Sequence, residues 1–492
     1  LGPSPTGFIH LGNLYGAFVD ERLAHQSGGR FFLRIEDTDD KRYVEGAVEV
    51  IINSLRFFGI NFDEGATMEG DIGSYGDYTQ SHRGEIYRCF AKKLVAEGHA
   101  YPCFLTEEEI AEIHAKQEAE KANPGIYGKW ALSRNLTMEE IEANLAAGKS
   151  YVIRLKSDGD MSLPEDRIRR FRVEDAIRGT LDMPVNDQDT VLLKATGIPT
   201  YHFAHVVDDH LMGITHVVRG SEYLSSTPKY NLLYEGFGWD VPAYVHCSPV
   251  MRDAHSKMSK RHGDPSYEDL IAQGYLTDAV VNYVALLGWS PGGEREIYTM
   301  REMAEIFDIR GISKSPAIFD IEKLKYFNAE YIRAMSPDAF AKAAEPFIRR
   351  AVKNPRIDPA AVAALLQQRT EVLTDIPEKL DFFDALPGYD TALYIHKKSK
   401  TDEAGSLEML RKMLPVFEAL PDWNDESILA AMTGMAESCG CKNAKVMWPV
   451  RIAAAGKAVT PGGAVEICRI LGKDETLRRI RVGIEKLEGA VG

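Results

Sequence analysis

Six cysteines in 492 residues, at positions 89, 103, 247, 439, 441 and 468, are too few and too scattered for a disulfide framework. This predicts a reduced, cytoplasmic protein. No apolar run approaches the ~20 residues of a membrane span, so no membrane partner is expected. Signal-peptide patterns, internal repeats and low-complexity tracts are also lacking. Cations are in deficit: 58 Lys and Arg stand against 73 Asp and Glu, a net charge of −15. That removes the simplest argument for a nucleic-acid partner without excluding one, because binding depends on local basic patches. Four such clusters occur, Arg167–Arg170, Lys323–Lys325, Arg349–Arg350 and His396–Lys400, and each reads first as a solvated face. The chain begins at Leu1, without methionine and inside a motif, so its natural start is expected upstream.

What is present is apolar content of 45%, ample for buried cores, in a length that predicts roughly three or four domains at ~150 residues each. Two short segments carry the chemistry. In Pro3-Ser4-Pro5-Thr6-Gly7-Phe8-Ile9-His10-Leu11-Gly12-Asn13 a turn rich in Pro and Gly runs into an amphipathic stretch (Leu14, Ala17, Phe18, Leu23). A helix N-terminus there would offer unpaired N–H groups and a positive dipole end to phosphate, with Asn13 as the cap. Gly12 lacks a Cβ that would keep a base or ribose off the backbone, and His10 can donate to a phosphoryl oxygen as charge develops on it. In Lys257-Met258-Ser259-Lys260-Arg261, two compact cationic side chains suit a pyrophosphate leaving group. That loop follows a strand-like run (Tyr244, Val245, His246) and precedes the acidic helix start Ser266–Asp269. A loop closing on bound ATP would place the lysines when they are needed.

The organisation is α/β and then helical. Residues 1–105 alternate strand and helix, with a β-rich run over Arg30–Ile35, helical spacing from Val44 to Phe58, and a helix near Gln80–Glu97 stopped by Gly98. The pattern resumes after about 195 with the run Tyr201–Val207 and a helix near Pro228–Gly236. This predicts a Rossmann-like parallel sheet (1–105 and 195–265) split by an α/β insertion at 106–194. Helices dominate 266–335, and 336–492 is expected to be all-helical, with the polar stretch 387–405 separating two pieces.

The paired motifs resemble the "HIGH" and "KMSKS" signatures of class I aminoacyl-tRNA synthetases. Together with Arg34-Ile35-Glu36-Asp37-Thr38-Asp39, the Tyr201–His210 stretch, Arg219-Gly220-Ser221-Glu222 and Val446–Arg451, the chain is similar to the glutamyl branch of that class over its whole length. The resemblance implies ATP-dependent ligation of L-glutamate to tRNA(Glu) through glutamyl-adenylate. Its fold would be the split catalytic domain, an insertion gripping the tRNA acceptor end, and all-α anticodon-binding domains. His10, Gly12, Lys257 and Lys260 would be catalytic. ATP would be held by Pro3, Thr6, Gly7, His10, Gly12, Asn13, Lys257, Met258, Ser259 and Lys260. Glutamate carries two carboxylates and one ammonium, so its pocket needs about two cations and one anion. Glu36 suits the ammonium, Arg219 suits a carboxylate, and Tyr201 can donate a further hydrogen bond; the resemblance adds Gly2, Ser4 and an arginine that would fall just before Leu1. His205 stands where some family members carry asparagine. Asp39 and Arg42 are candidates for orienting the tRNA's terminal nucleotide, and Arg369 and Arg451 for facing the anticodon.

Mg²⁺ would arrive with ATP. Zinc is not expected: where some relatives have Cys-x-Cys, this chain has Cys103 alone, and Cys439-Gly440-Cys441 lacks a second pair and reads as a helix end. The runner-up activity is a non-discriminating enzyme that also charges tRNA(Gln). A glutaminyl enzyme would carry β-barrels after residue 340, and a small nucleotidyltransferase or a tRNA-modifying paralogue would lack the helical last third. A monomer in the bacterial cytoplasm is expected, with an organellar matrix as the other setting.

Overall fold

The computed structural model describes residues 1–5, 11–39, 44–256, 258 and 265–491. The chain forms two compact units, one from Leu1–Glu268 with Val281–Phe319, the other from Asp269–Val280 with Asp320–Gly492.

In the first unit the helix Leu11–Gln26 buries Leu14, Tyr15, Ala17, Phe18 and Val19. Asn13 lies in its first turn and is exposed, so it is not the cap expected for it: the helix begins two residues earlier. Helix ends are where local preference decides least. The β-rich run is as read. Phe32–Leu33 pairs in parallel with Glu64–Gly65, and the next residues are clasped on both edges. Arg34 and Glu36 donate their backbone N–H groups to Leu1 and Pro3 (3.0 and 3.1 Å), while Ile35 donates to Tyr78 (2.8 Å). This alternation sends the Arg34 and Glu36 side chains to the same face.

A four-stranded sheet follows in the order Gly179–Pro184, Arg170–Asp175, Ala243–Cys247, His216–Gly220. The first pair is antiparallel and the other two are parallel. A separate antiparallel sheet joins Ala100–Cys103, Val152–Leu155 and Val191–Leu193. The run Tyr201–Val207 forms a helix, Tyr201–Leu211, packed with Gly84–Ala96 and Thr227–Phe237 around Tyr87, Leu94, Phe203, Val207 and Phe237.

Described residues of the second unit are helical apart from short turns and one bridge, His396–Thr401. One apolar core runs through it, from Phe340, Ile348 and Leu366 to Met413, Val450, Ile467 and Ile480, on both sides of 387–405. Arg479, 1% exposed, donates through Nη1 to the carbonyls of Phe382 (2.6 Å) and Ala454 (2.7 Å) and through Nε to Glu475 (2.6 Å). Cys439 caps the helix Asp425–Ser438 and Gly440 follows at φ +60°, the helix end read from the sequence. Among the described residues no helix is long and apolar enough to cross a membrane.

Candidate active site

The first unit encloses a cavity of about 1520 Å³. Of the expected site residues, Gly2, Pro3, Ser4, Gly12, Asn13, Glu36, Asp39, Tyr201, Arg219 and Met258 all line it. Thr6, Gly7, His10, Arg42, Lys257, Ser259 and Lys260 lie outside the described residues.

One wall is a buried ionic cluster. The Arg34 guanidinium donates through Nη2 to Glu36 Oε1 (2.8 Å) and to Asp209 Oδ1 (2.8 Å), with Asp208 3.9 Å from its Nε. Asp208, fully buried, also accepts from Arg83 Nε (2.8 Å), Gln80 Nε2 (3.1 Å) and the Tyr87 hydroxyl (2.7 Å). Among the described residues three carboxylates thus share two guanidiniums, which leaves one negative charge in excess. Burial pushes the Glu36 carboxyl up to about 7, against the pull of Arg34. Burial also opposes ionisation of Asp209, but Arg34 and the His205 hydrogen bond outweigh it and hold that carboxyl at about 2. The strained member is therefore Glu36. It faces the backbone of Gly2, where a Cβ would lie 2.4 Å from Glu36 Oε1.

The facing wall carries a cation. Arg219 lies over the rings of Tyr230 (4.5 Å) and Tyr244 (5.0 Å). Its Nε donates to His246 Nε2 (3.1 Å) and its Nη2 to Thr227 Oγ1 (3.3 Å), while buried Nη1 has no hydrogen-bond partner among the described residues. Between the two walls, Tyr201 packs on His205 (5.0 Å). Burial and the nearby Glu36 push its phenol well above the usual range, so it remains a neutral donor. His205 bonds Asp209 through Nδ1 (3.2 Å), and its buried Nε2 has no hydrogen-bond partner among the described residues. Burial keeps this imidazole below its ordinary value despite Asp209.

Sequence reasoning missed the supports of these groups: Arg34, Arg83, Asp208 and Asp209 behind Glu36, and Asp175, His246 and Thr227 behind Arg219. Asp208 and Asp209 were present in the Tyr201–His210 stretch. Two adjacent carboxylates inside an apolar run were the available signal, since such a pair requires buried cations. The candidate anticodon arginines are both engaged within the second unit. Arg451 lies 4.4 Å over Trp448 and donates to Ala458 O, and Arg369 donates to Pro461 O. Cys103 ends a fully buried strand.

Two family descriptions match the chain: "tRNA synthetases class I (E and Q), catalytic domain" over residues 1–326, and "Anticodon binding domain" over residues 339–484. A glutamate–tRNA ligase of Clostridium botulinum (strain Hall) is 49% identical over 487 residues, covering 99% of this chain and 97% of that protein. That of Clostridium tetani is 48% identical over 490 residues, with the same coverage. Among solved structures, a glutamate tRNA ligase from Elizabethkingia meningosepticum in complex with its amino acid matches with a TM-score of 0.88 at 34% identity, covering 99% of this chain and 98% of that one. The two charged walls around one cavity and the helical second unit accord with these likenesses, and the chain belongs to the glutamate–tRNA ligase family of class I tRNA synthetases.

Proposed function

We propose that the cavity binds L-glutamate as a zwitterion between the Glu36 wall and Arg219 and activates it with ATP for transfer to tRNA(Glu). The observation that carries this reading is the charge pattern among the described residues: one unbalanced buried anion on one wall and a guanidinium nitrogen without a hydrogen-bond partner on the other. A buried charge without a counter-ion is expensive, so an ammonium beside Glu36 and a carboxylate beside Arg219 are the groups this cavity favours. Tyr201 adds a neutral donor, and Gly2 and Ser4 border the same space. In the first step a glutamate α-carboxylate oxygen bonds to the α-phosphorus of ATP, and the bond from that phosphorus to the bridging oxygen of pyrophosphate breaks. In the second, the terminal ribose hydroxyl of the tRNA attacks the acyl carbon, loses its proton, and AMP leaves. Positioning and charge stabilisation do most of this work.

By their motifs, His10, Lys257 and Lys260 would stabilise charge on the phosphates, with Pro3, Thr6, Gly7, Gly12, Asn13, Met258 and Ser259 as further ATP contacts. Gly12 supports its part: among the described residues nothing lies within 4 Å of the position a Cβ would take there. Mg²⁺ enters as the ATP complex, and no zinc is required. Asp39, with Arg42, is assigned to the tRNA's terminal nucleotide, and the enzyme works as a monomer in the bacterial cytoplasm. The catalytic domain is read as 1–105 with 195–265, the acceptor-binding insertion as 106–194, with its strands Arg170–Asp175 and Gly179–Pro184 joining the catalytic sheet, the stem-contact helices as 266–335 and the anticodon-binding region as 336–492. The deciding experiment is ATP–pyrophosphate exchange with glutamate or glutamine, with and without tRNA. Exchange with glutamate alone, in the presence of tRNA(Glu), supports the reading. Exchange with glutamine, or with neither amino acid, overturns the pocket assignment.

A further inference from the structure

Three neighbouring strands of the four-stranded sheet each place one polar side chain on a line running into the cavity wall. Arg219 and His246 are direct partners across the parallel pair His216–Gly220 and Ala243–Cys247. The strand Arg170–Asp175 joins the other edge of Ala243–Cys247 at Asp175, opposite Tyr244. Asp175 Oδ2 accepts from the His246 ring Nδ1 at 2.7 Å and from its backbone N–H at 3.1 Å. Oδ1 accepts from the backbone N–H groups of Ile177 (3.0 Å) and Arg178 (2.7 Å). His246 is wholly buried. Its Nε2 faces Arg219 Nε at 3.1 Å.

The donor inventory leaves one consistent assignment. Arg219 Nε–H can only donate, so His246 Nε2 must present its lone pair. The proton of a neutral ring is then on Nδ1, donated to the Asp175 carboxylate. We infer that Asp175 and His246 form a positioning pair for the substrate: Asp175 fixes the tautomer of His246, and His246 holds one edge of Arg219 so that the rest of the guanidinium meets the amino acid's carboxylate. This rests on the assignment of Arg219 to a glutamate carboxylate. The surroundings agree with a neutral ring. Burial depresses the imidazole, Arg219 and Arg178 on flanking elements add to that, and Asp175 opposes it without prevailing. Asp175 itself is held below the usual carboxylate range, because the His246 and backbone hydrogen bonds outweigh its burial.

The pair makes Asp175→Asn an informative substitution. The two backbone N–H groups facing Oδ1 require an oxygen there, so the new amide NH₂ must face His246 Nδ1. That reverses the tautomer and turns Nε2–H against Arg219 Nε–H, a donor facing a donor. The test is kinetics of AMP formation with tRNA(Glu), on the full chain. The KM for glutamate in Asp175→Asn should rise about tenfold or more, with the KM for ATP within about twofold. His246→Gln, which keeps an acceptor for Arg219, should stay closer to the wild type than His246→Leu; a role in filling volume alone predicts the reverse order. Independently of any variant, the ¹⁵N chemical shifts of His246 in the wild-type protein should report the Nδ1–H form at neutral pH. An unchanged glutamate KM in folded Asp175→Asn, or an Nε2–H ring in the wild type, overturns the inference. Failure of the functional reading would show separately, as a wild-type protein that does not use glutamate.

Discussion

Replacing Glu36 by glutamine should make the protein more stable and a poorer enzyme at once. Glu36 is 4% exposed and shares Arg34 with Asp209, so its carboxylate is incompletely compensated. Its rise from 4.5 to about 7 corresponds to a burial cost of about 3 kcal/mol when ionised. The folded protein holds this proton more tightly than the unfolded chain does. The cost is therefore fully present above pH 7 and relieved as the pH falls toward 4.5. Glutamine keeps the shape and an acceptor for Arg34 while removing the charge, so at pH 8 the melting temperature should rise. The loss is in binding: the ammonium of glutamate would face a neutral amide. Removing one partner of a buried charge pair costs about 2–4 kcal/mol, about 30- to 1,000-fold in kcat/KM for glutamate. Pyrophosphate exchange at pH 8 and thermal unfolding of the same preparation read both effects. A Glu36→Gln protein with wild-type kcat/KM, or one that melts lower than the wild type, would refute the reasoning.

In the wild type, kcat/KM for glutamate should fall as the pH drops through about 7, because only the carboxylate form of Glu36 attracts an ammonium; a pH profile of Glu36→Gln should lack that limb. Gly2→Ala would push a Cβ to 2.4 Å from Glu36 Oε1. It should raise the glutamate KM by about tenfold or more with little change in global stability, measured by the same exchange assay and a thermal melt. Arg219→Lys keeps the charge but loses the fork held by His246 and Thr227; about 2 kcal/mol of carboxylate binding should go, read as a glutamate KM raised ~30-fold. Asp189→Ala should destabilise the protein by about 3–5 kcal/mol in denaturant titrations, since it strands Arg134, the Tyr101 hydroxyl and the Ser157 N–H, all bonded to that buried carboxylate.

Much of the candidate site is legible in the sequence because its groups travel with short, unusual strings. Glu36, Tyr201 and Arg219 border one cavity, as their local motifs suggested. What could not be read is the company those residues keep. Arg34 meets Asp208 and Asp209 across more than 170 residues, and no local pattern encodes that pairing. The excess negative charge follows from the cluster as a whole. The Asp175, His246 and Arg219 line depends on the register of two parallel strand pairs, and parallel register is set by helical crossovers rather than by the strands themselves. The basic cluster at 167–170, which reads from the sequence as a solvated face, has ion-pair partners that were illegible for a related reason. Arg169 is bound by Glu235 and Asp158, and Arg170 by Glu165 and Asp182, partners that no window around 167–170 contains in full.

Arg479 has a further consequence for the second unit. A single guanidinium receives the carbonyl ends of two chain segments, near Phe382 and Ala454, while sitting on a third helix. The negative ends of those peptide dipoles are discharged onto one cation that water does not reach. None of the three can loosen alone without leaving a buried donor of Arg479 or a buried carbonyl unmet. Amide exchange in this half of the chain should accordingly occur through one concerted opening, with similar protection at Phe382, Ala454 and Arg479, rather than through independent fraying. A helical array so pinned would present its surface to an RNA as a rigid template.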